Sequence, residues 1–430
     1  MRPALFLGID FGTSGCRARV VDATGETVAR SEVALPGPSR PEPGWSEQDP
    51  ALWWAGLADV VAALPDRVRA AVAAVAVDGT SGTLLLADGG GRPVGPALLY
   101  DDTRARDQAR ALADIAPADA AVHSASSSLP KALWLLGAHR PAARHLLHQA
   151  DWVLGRLSGR FGISDENNAL KLGYDPIRRC WPAWLAAVGL PADLLPEVRA
   201  VGEGVGALAP AVAAELGLPP ATLVVAGTTD STAGALAAGV ATTGDGVTTL
   251  GSTLVVKVLS ERPVFAARFG VYSHRLGDRW LVGGASNSGG AVLRQFFADG
   301  ELASLSAGID PSQPSPLDYY PLPRPGERFP IADPTLTPRL EPQPGDRGAF
   351  LHGLLEGIAR IEALGYRRLA ELGAPYPARV LTTGGGAVNP TWTAIRARLL
   401  GVPVAAATQR DAAYGAALLA RDGFAGRASS

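Results

Sequence analysis

The segment Leu5–Glu26, LFLGIDFGTSGCRARVVDATGE, constrains this chain most. A buried-type apolar run ends in Asp10, and a small-residue turn, Gly12-Thr13-Ser14-Gly15, leads into β-branched and alternating residues from Cys16 to Asp22. A second turn, Ala23–Glu26, opens a third alternating run, Thr27–Leu35, so the spacing predicts a three-stranded antiparallel meander. A Gly-rich loop that binds phosphate in a Rossmann or Walker fold joins a strand to a helix, whereas this one joins strand to strand. Only three lysines occur, Lys131, Lys171 and Lys257, against 36 arginines. None lies in a Gly-rich loop, which excludes a G-x-x-x-x-G-K-[ST] site.

At 430 residues the chain exceeds one ordinary core, and two domains of roughly 200 residues are expected. A net charge of −2 gives no reason to expect nucleic acid or an anionic membrane as partner. Cys16 and Cys180 can form neither a disulfide framework nor a thiolate zinc site. His145 and His148 are read as lying on a helix face. The first apolar run is too short for a secretory signal and no later run reaches ~20 residues, so a cytoplasmic location is expected. Monomer and homodimer both remain open.

After a Pro-rich loop, Asp49-Pro50 supplies an N-cap and first-turn proline for a helix. A strand at Ala73–Asp78 and a hairpin around Gly89–Gly91 follow, and helical segments are expected to dominate from Arg104 to Leu218. A second strand-rich phase begins at Thr222, and an irregular proline-rich stretch covers Ala307 to Gln343. Helices are expected at Phe350–Leu372, Pro390–Leu400 and Asp411–Leu419, with a strand at Arg379–Thr383. Meander, crossover helices and hairpin thus occur twice, which predicts an α/β fold of two similarly built domains. Residues 1–236 would form the first and 237–410 the second. Residues 411–430 form a closing helix, which makes the first domain discontinuous if it packs back there.

Small-residue loops follow the strands at Asp10–Gly15, Gly79–Gly82, Gly227–Asp230, Gly251-Ser252-Thr253 and Gly384–Asn389. Singly, each is an ordinary turn. Together they suit a nucleotide triphosphate, which needs exposed backbone N–H groups and a carboxylate to organise Mg²⁺. Asp10 either bonds its own turn amides or holds Mg²⁺, and Asp230 either caps the next helix, accepts a proton, or does both.

Several segments in order resemble the FGGY family of carbohydrate kinases, which has the sugar kinase–actin–Hsp70 fold. They are GIDFGTSGCRARVVD, GWSEQDPALWW, LLYDDTRA, SSSLPKALW, HGLLEGIARIEALGYRRL, TTGGGAVNPTWTAIRARLLGVPV and AAYGAALLA. The resemblance implies two ribonuclease H-like domains with a cleft between them. It also implies ATP and Mg²⁺ as cofactors and phosphorylation of a small sugar. On this resemblance Asp10 holds Mg²⁺ through water, with Thr13 on phosphate, and Asp230 takes the sugar hydroxyl's proton. Gly12, Thr13, Ser14, Gly251, Ser252, Thr253, Gly385, Gly386 and Asn389 bind ATP. Asp10, Ser14, Gly15, Ser81 and Asp230 bind the substrate. Thr80-Ser81-Gly82 stands where xylulokinases show Gln-Met-His, and the Arg-Glu pair of glycerol kinases is absent. The segment YYPLPRPGERFP, Tyr319–Pro330, resembles the short xylulokinase-like group of plants and cyanobacteria, which implies D-ribulose as substrate.

Overall fold

The computed structural model describes residues 3–428. Its contacts divide the chain into two compact units. The first comprises the residues up to Ala237 together with those from Asp411 onward, and the second runs from Ala238 to Arg410.

The first unit is built on a six-stranded sheet. Its strands are β1 (Leu5–Gly12), β2 (Gly15–Val21), β3 (Thr27–Ala34), β4 (Val72–Gly79), β5 (Gly204–Ala207) and β6 (Leu223–Thr229), in the order β5-β6-β4-β1-β2-β3. The meander β1-β2-β3 is antiparallel, while β4 lies parallel to β1 and β6 parallel to β4. β1 and β6 are buried over almost their whole length, which explains their continuous apolar runs. The outer strand β3 alternates exposed and half-buried residues.

Helix α1 (Pro50–Ala62) starts where its cap predicts, the Asp49 carboxylate accepting from the Ala51 N–H, and it buries Trp53, Leu57, Val60 and Val61. On the other face lies α7 (Ala412–Ala428), against β1 and β4. Gly8 permits this approach, since a Cβ there would sit 2.0 Å from the Ala413 carbonyl oxygen. A smaller four-stranded sheet joins Glu47–Gln48, which precedes β4, to Leu84–Ala87, Ala97–Leu98 and His145–His148, which follow it. Two of its neighbours are α2 (Ser128–His139) and α3 (Gln149–Ser158). His145 and His148 therefore lie on a strand, not on a helix face. The region from Arg104 to Leu218 also holds short strands at Ile163–Asp165, Glu197–Arg199 and Gly204–Ala207, not helices alone. Each is only three or four residues long, too short to show a period of two in the sequence.

The second unit repeats the plan. Strands β7 (Asp245–Leu250), β8 (Leu254–Ser260), β9 (Tyr272–Leu276), β10 (Arg279–Ser286), β11 (Arg379–Thr383) and β12 (Val404–Ala406) follow the order β9-β10-β8-β7-β11-β12. β7 and β8 are an antiparallel hairpin, and β11 is parallel to β7, as β4 is to β1. Helix α5 (Arg347–Glu371) supplies the longest buried stripe of this core, and α6 (Pro390–Leu400) packs beside it. No regular helix or strand lies between Ala307 and Arg347. α4 (Asp230–Ala238) follows β6 directly.

Candidate active site

In the first unit, β1, β4 and β6 run in the same direction, so their C-terminal ends share one edge of the sheet. Asp10 on β1 pairs in register with Asp78 on β4 and with Arg17 on β2. Thr229, just before Asp230, pairs with Gly79, just after Asp78. Strand register therefore brings Asp10 and Asp230 to neighbouring positions with Asp78 between them.

Asp10 is 5% exposed and Asp78 wholly buried. The Arg17 guanidinium donates to Asp10 Oδ2 at 2.9 Å, and its own side chain is 40% exposed. Burial raises the Asp10 carboxyl above its ordinary range, while bonds from Asp78 and Arg17 and the Arg17 charge pull it back. Burial raises Asp78 much further, reinforced by the charges of Asp10 and Asp230. Neither Asp78 oxygen meets an N–H or O–H donor of a neighbour. Of the two carboxyls, Asp78 is therefore the one that burial pushes further toward its neutral form, while the Arg17 charge favours the ionised form of Asp10.

Gly12–Gly15 closes the β1–β2 hairpin, with Thr13 half-exposed and Ser14 exposed. The Ser14 carbonyl accepts from the Leu35 N–H at 2.9 Å, fixing the turn from the β3 side. Helix α4 begins at Asp230 itself, one residue earlier than a pure N-cap role requires, and the Ser231 N–H donates to Asp230 Oδ1 at 2.6 Å. The positive end of a helix dipole favours negative charge in the first turn.

Ser81 lies on a loop anchored by buried polar groups. The Thr80 N–H and hydroxyl both donate to Gln149 Oε1 at 3.0 Å. Lys131 Nζ donates to the Gly82 carbonyl at 2.5 Å and to the Leu99 carbonyl at 2.8 Å. Burial, aided by the nearby charge of Lys171, lowers the Lys131 amine to about 7. Behind the loop, the His148 ring bridges Asp151 Oδ2 at 2.8 Å and Ser128 Oγ at 3.0 Å. Ser128 and His148 have no exposed surface, so this serine–histidine–aspartate chain is an internal tie and not a nucleophile. The Arg104 guanidinium, 3.7 Å from the Trp45 ring centroid and 4.8 Å from that of Trp134, joins Glu47 and Asp102.

In the second unit, Gly251-Ser252-Thr253 closes the β7–β8 hairpin, the position that Gly12–Gly15 holds in the first. Arg294 Nη2 donates to Ser252 Oγ at 2.7 Å, and the Gly290 N–H to the Gly251 carbonyl at 2.8 Å. Gly385 and Gly386 lie in a single tight turn after β11. The two loops adjoin, because a Cβ on Gly384 would lie 2.6 Å from the Leu250 carbonyl oxygen. Asn389 uses its side chain to cap α6 through the Trp392 N–H at 2.9 Å and to donate to Ser306 Oγ at 2.8 Å.

The residues fit Mg²⁺. Among those described, no group of three or more His, Cys, Asp or Glu side chains could enclose a metal. Mg²⁺, however, keeps most of its waters and takes one or two carboxylates plus substrate phosphates, and Asp10 beside an exposed phosphate-type turn meets that demand. Among the described residues no helix is long and apolar enough to cross a membrane.

Reasoning from the sequence alone missed Asp78 and Arg17. Asp78 had a legible signal, since AVAVDG at 74–79 repeats the pattern of FLGIDFG: an apolar run closed by aspartate and glycine. Arg17 had none, because its role depends on hairpin register.

Two duplicated sheets, each with a small-residue hairpin turn at its edge, define a two-domain nucleotide-dependent sugar kinase fold. Residues 5–237 match the family model "FGGY family of carbohydrate kinases, N-terminal domain", and residues 246–421 match the corresponding C-terminal model. The chain belongs to the FGGY family of carbohydrate kinases, which makes it an ATP-dependent sugar kinase. It is 30% identical to a xylulose kinase of Klebsiella pneumoniae, over 97% of this chain and 89% of that one. It is 28% identical to a xylulose kinase of Escherichia coli, over 97% and 90%. The solved xylulose kinase of Rhodospirillum rubrum superposes with a TM-score of 0.87 at 25% identity, covering 97% of this chain and 90% of the other.

Proposed function

We propose that the protein transfers the γ-phosphoryl group of ATP to the terminal hydroxyl of a ketopentose, D-ribulose before others, giving D-ribulose 5-phosphate in the cytoplasm. The observation that supports the reading is the placement of Asp10 and Asp230 at one sheet edge on either side of Asp78, the first joined to an arginine and the second opening a helix. Asp230 accepts the proton of the attacking hydroxyl, whose oxygen bonds to the γ-phosphorus as the bond to ADP breaks. The hydroxyl and the phosphate must be held in line, because positioning and charge stabilisation supply most of the catalysis of phosphoryl transfer.

Backbone N–H groups of Gly12–Gly15 and of Gly251–Thr253 donate to phosphate oxygens, while Gly385, Gly386 and Asn389 flank the adenosine. Asp10 holds the Mg²⁺, Arg17 fixes the Asp10 rotamer, and Ser81, Ser14 and Gly15 orient the sugar. Bound Mg²⁺ supplies charge neutralisation on the β- and γ-phosphates.

The chain's own Thr80-Ser81-Gly82 and Tyr319–Pro330 segments support D-ribulose. A second reading, D-xylulose, is favoured by the names of the relatives matched along 97% of the chain. ADP release measured with D-ribulose, D-xylulose, glycerol and no sugar separates the two. A higher kcat/KM on D-ribulose supports the first reading, and a higher value on D-xylulose replaces it with the second. ADP release of equal rate without sugar refutes both.

A further inference from the structure

The loop carrying Ser81 has a polar neighbour that none of the roles above uses. Gly82 has φ +89, and a Cβ built there would meet the Ser126 carbonyl at 3.4 Å, Lys171 Cδ at 3.6 Å and Ser128 Oγ at 3.9 Å. The aliphatic stem of Lys171 therefore runs beside the backbone of the substrate loop. Its charge is felt at Lys131, which grips the same loop through the Gly82 carbonyl. Lys131 is sealed in the interior, whereas Lys171 is half-buried and sits between the buried Leu170 and Leu172 on one short turn. Its backbone is thus fixed while its side chain reaches the surface.

Direction follows from the strands. Gly79 is paired with Thr229, so the chain leaves the Asp230 end of the sheet edge and reaches Gly82 three residues later. The Thr83 N–H donates to the Thr80 carbonyl at 3.1 Å, so the chain turns here and Gly82 stays well inside the about 11 Å that three extended residues would span, a separation that a five-carbon sugar can bridge. A sugar with its reacting hydroxyl at Asp230 and its middle at Ser81 would have its other end beside Gly82 and Lys171.

We infer that Lys171 binds the end of the sugar remote from the phosphoryl acceptor, its ammonium donating to the oxygens of C1 and C2 of a ketose. This rests on the proposed sugar site at Asp230 and Ser81. An ammonium-to-oxygen bond in a half-buried site is charge-assisted and stronger than a neutral one.

The test is sugar binding by calorimetry on the full chain without ATP, which keeps it separate from phosphoryl transfer. Wild type, Lys171→Met and Lys171→Arg are titrated with D-ribulose, 1-deoxy-D-ribulose (no oxygen on C1) and ribitol (C2 carbonyl reduced). Lys171→Met keeps the stem that packs on Gly82, and its melting temperature should match wild type. D-ribulose affinity should fall about 10- to 100-fold in Lys171→Met and less than about threefold in Lys171→Arg. The loss should be smaller for 1-deoxy-D-ribulose, which lacks one of the two accepting oxygens, than for D-ribulose or ribitol, which keep both. Equal losses for all three ligands would make Lys171 a purely structural residue, and no loss for any would remove it from the site; either result overturns the inference. A wild type that binds D-ribulose but releases no ADP refutes the kinase reading alone. One that binds none of the three overturns both.

Discussion

Lys131→Met tests how the substrate loop is held. The Lys131 amine is fully buried and donates to the carbonyls of Gly82 and Leu99. Methionine keeps the length and removes both donors, leaving two buried carbonyls without these partners at about 1–3 kcal/mol each. The opposing effect comes from the proton. Burial lowers the amine from 10.5 to about 7, which corresponds to about 5 kcal/mol of unfavourable linkage as an upper bound.

The sign follows from proton counting. Between pH 7 and 10.5 the unfolded chain binds a proton that the folded chain does not, so wild-type stability rises with pH by about 1.4 kcal/mol per unit. The contribution is complete above 10.5 and lost as pH falls through about 7. Methionine has no such dependence. Near pH 7 the two effects offset to within about 3 kcal/mol, and at pH 10 the variant should be less stable by about 4 kcal/mol more than at pH 7. Urea unfolding at pH 7.0, 8.5 and 10.0, followed by tryptophan fluorescence, reads this directly, because Trp134 lies on the same helix. A stability difference constant to within about 1 kcal/mol across that range would refute the reasoning.

Asp230→Asn should leave ATP affinity within about twofold and lower kcat by about 10²- to 10⁴-fold, measured by nucleotide titration and single turnover; retained turnover would remove Asp230 from the base role. Asp10→Asn should raise the Mg²⁺ concentration for half-maximal rate by about tenfold or more and weaken Mn²⁺ binding followed by paramagnetic resonance. Unchanged metal dependence would assign Asp10 to the loop alone. In the second unit, Arg396 and Glu362 are fully buried and joined at 2.6 Å, with Thr248 and Thr382 satisfying the remaining atoms. Glu362→Gln should cost about 3–5 kcal/mol in urea unfolding, and a loss below about 1 kcal/mol would show that the pair is not an energetic unit.

The meander was legible because each strand carries its own sign: the apolar run of Leu5–Asp10, the Gly-bounded turn, and the alternation of Thr27–Leu35. The same holds for β11 and α6, found over the residues where periodicity and capping place them. The short strands between Arg104 and Leu218 were not legible. His145–His148 belongs to a sheet only because Leu84–Ala87, 64 positions earlier where Leu84 pairs with His148, offers a hydrogen-bonding edge. Asp10 and Asp230 were found by their places after apolar runs. Asp78 was passed over although its strand was found, because a second buried carboxylate beside the first makes sense only once the register of β1 and β4 is known.

The Ser81 loop explains why so many polar groups are buried around it. Thr80, Ser81, Gly82 and Thr83 offer no large apolar side chain, so hydrophobic packing has little on which to fix their position. Hydrogen bonds must do it, and they must come from inside, because the outer face has to stay open to a ligand. Gln149 and Lys131 supply them directly, and the Asp151–His148–Ser128 chain backs the same region. Each such group carries a desolvation cost that an apolar residue would not. Lys131 shows the cost in its lowered proton affinity, and Asp165 in a carboxyl pushed by burial up to about 7. An all-apolar interior here would make folding more favourable but would leave the loop free to take several positions. A sugar hydroxyl must sit within a few tenths of an ångström of its base and in line with the phosphorus. The stability given up beneath the loop is therefore the physical source of its fixed geometry.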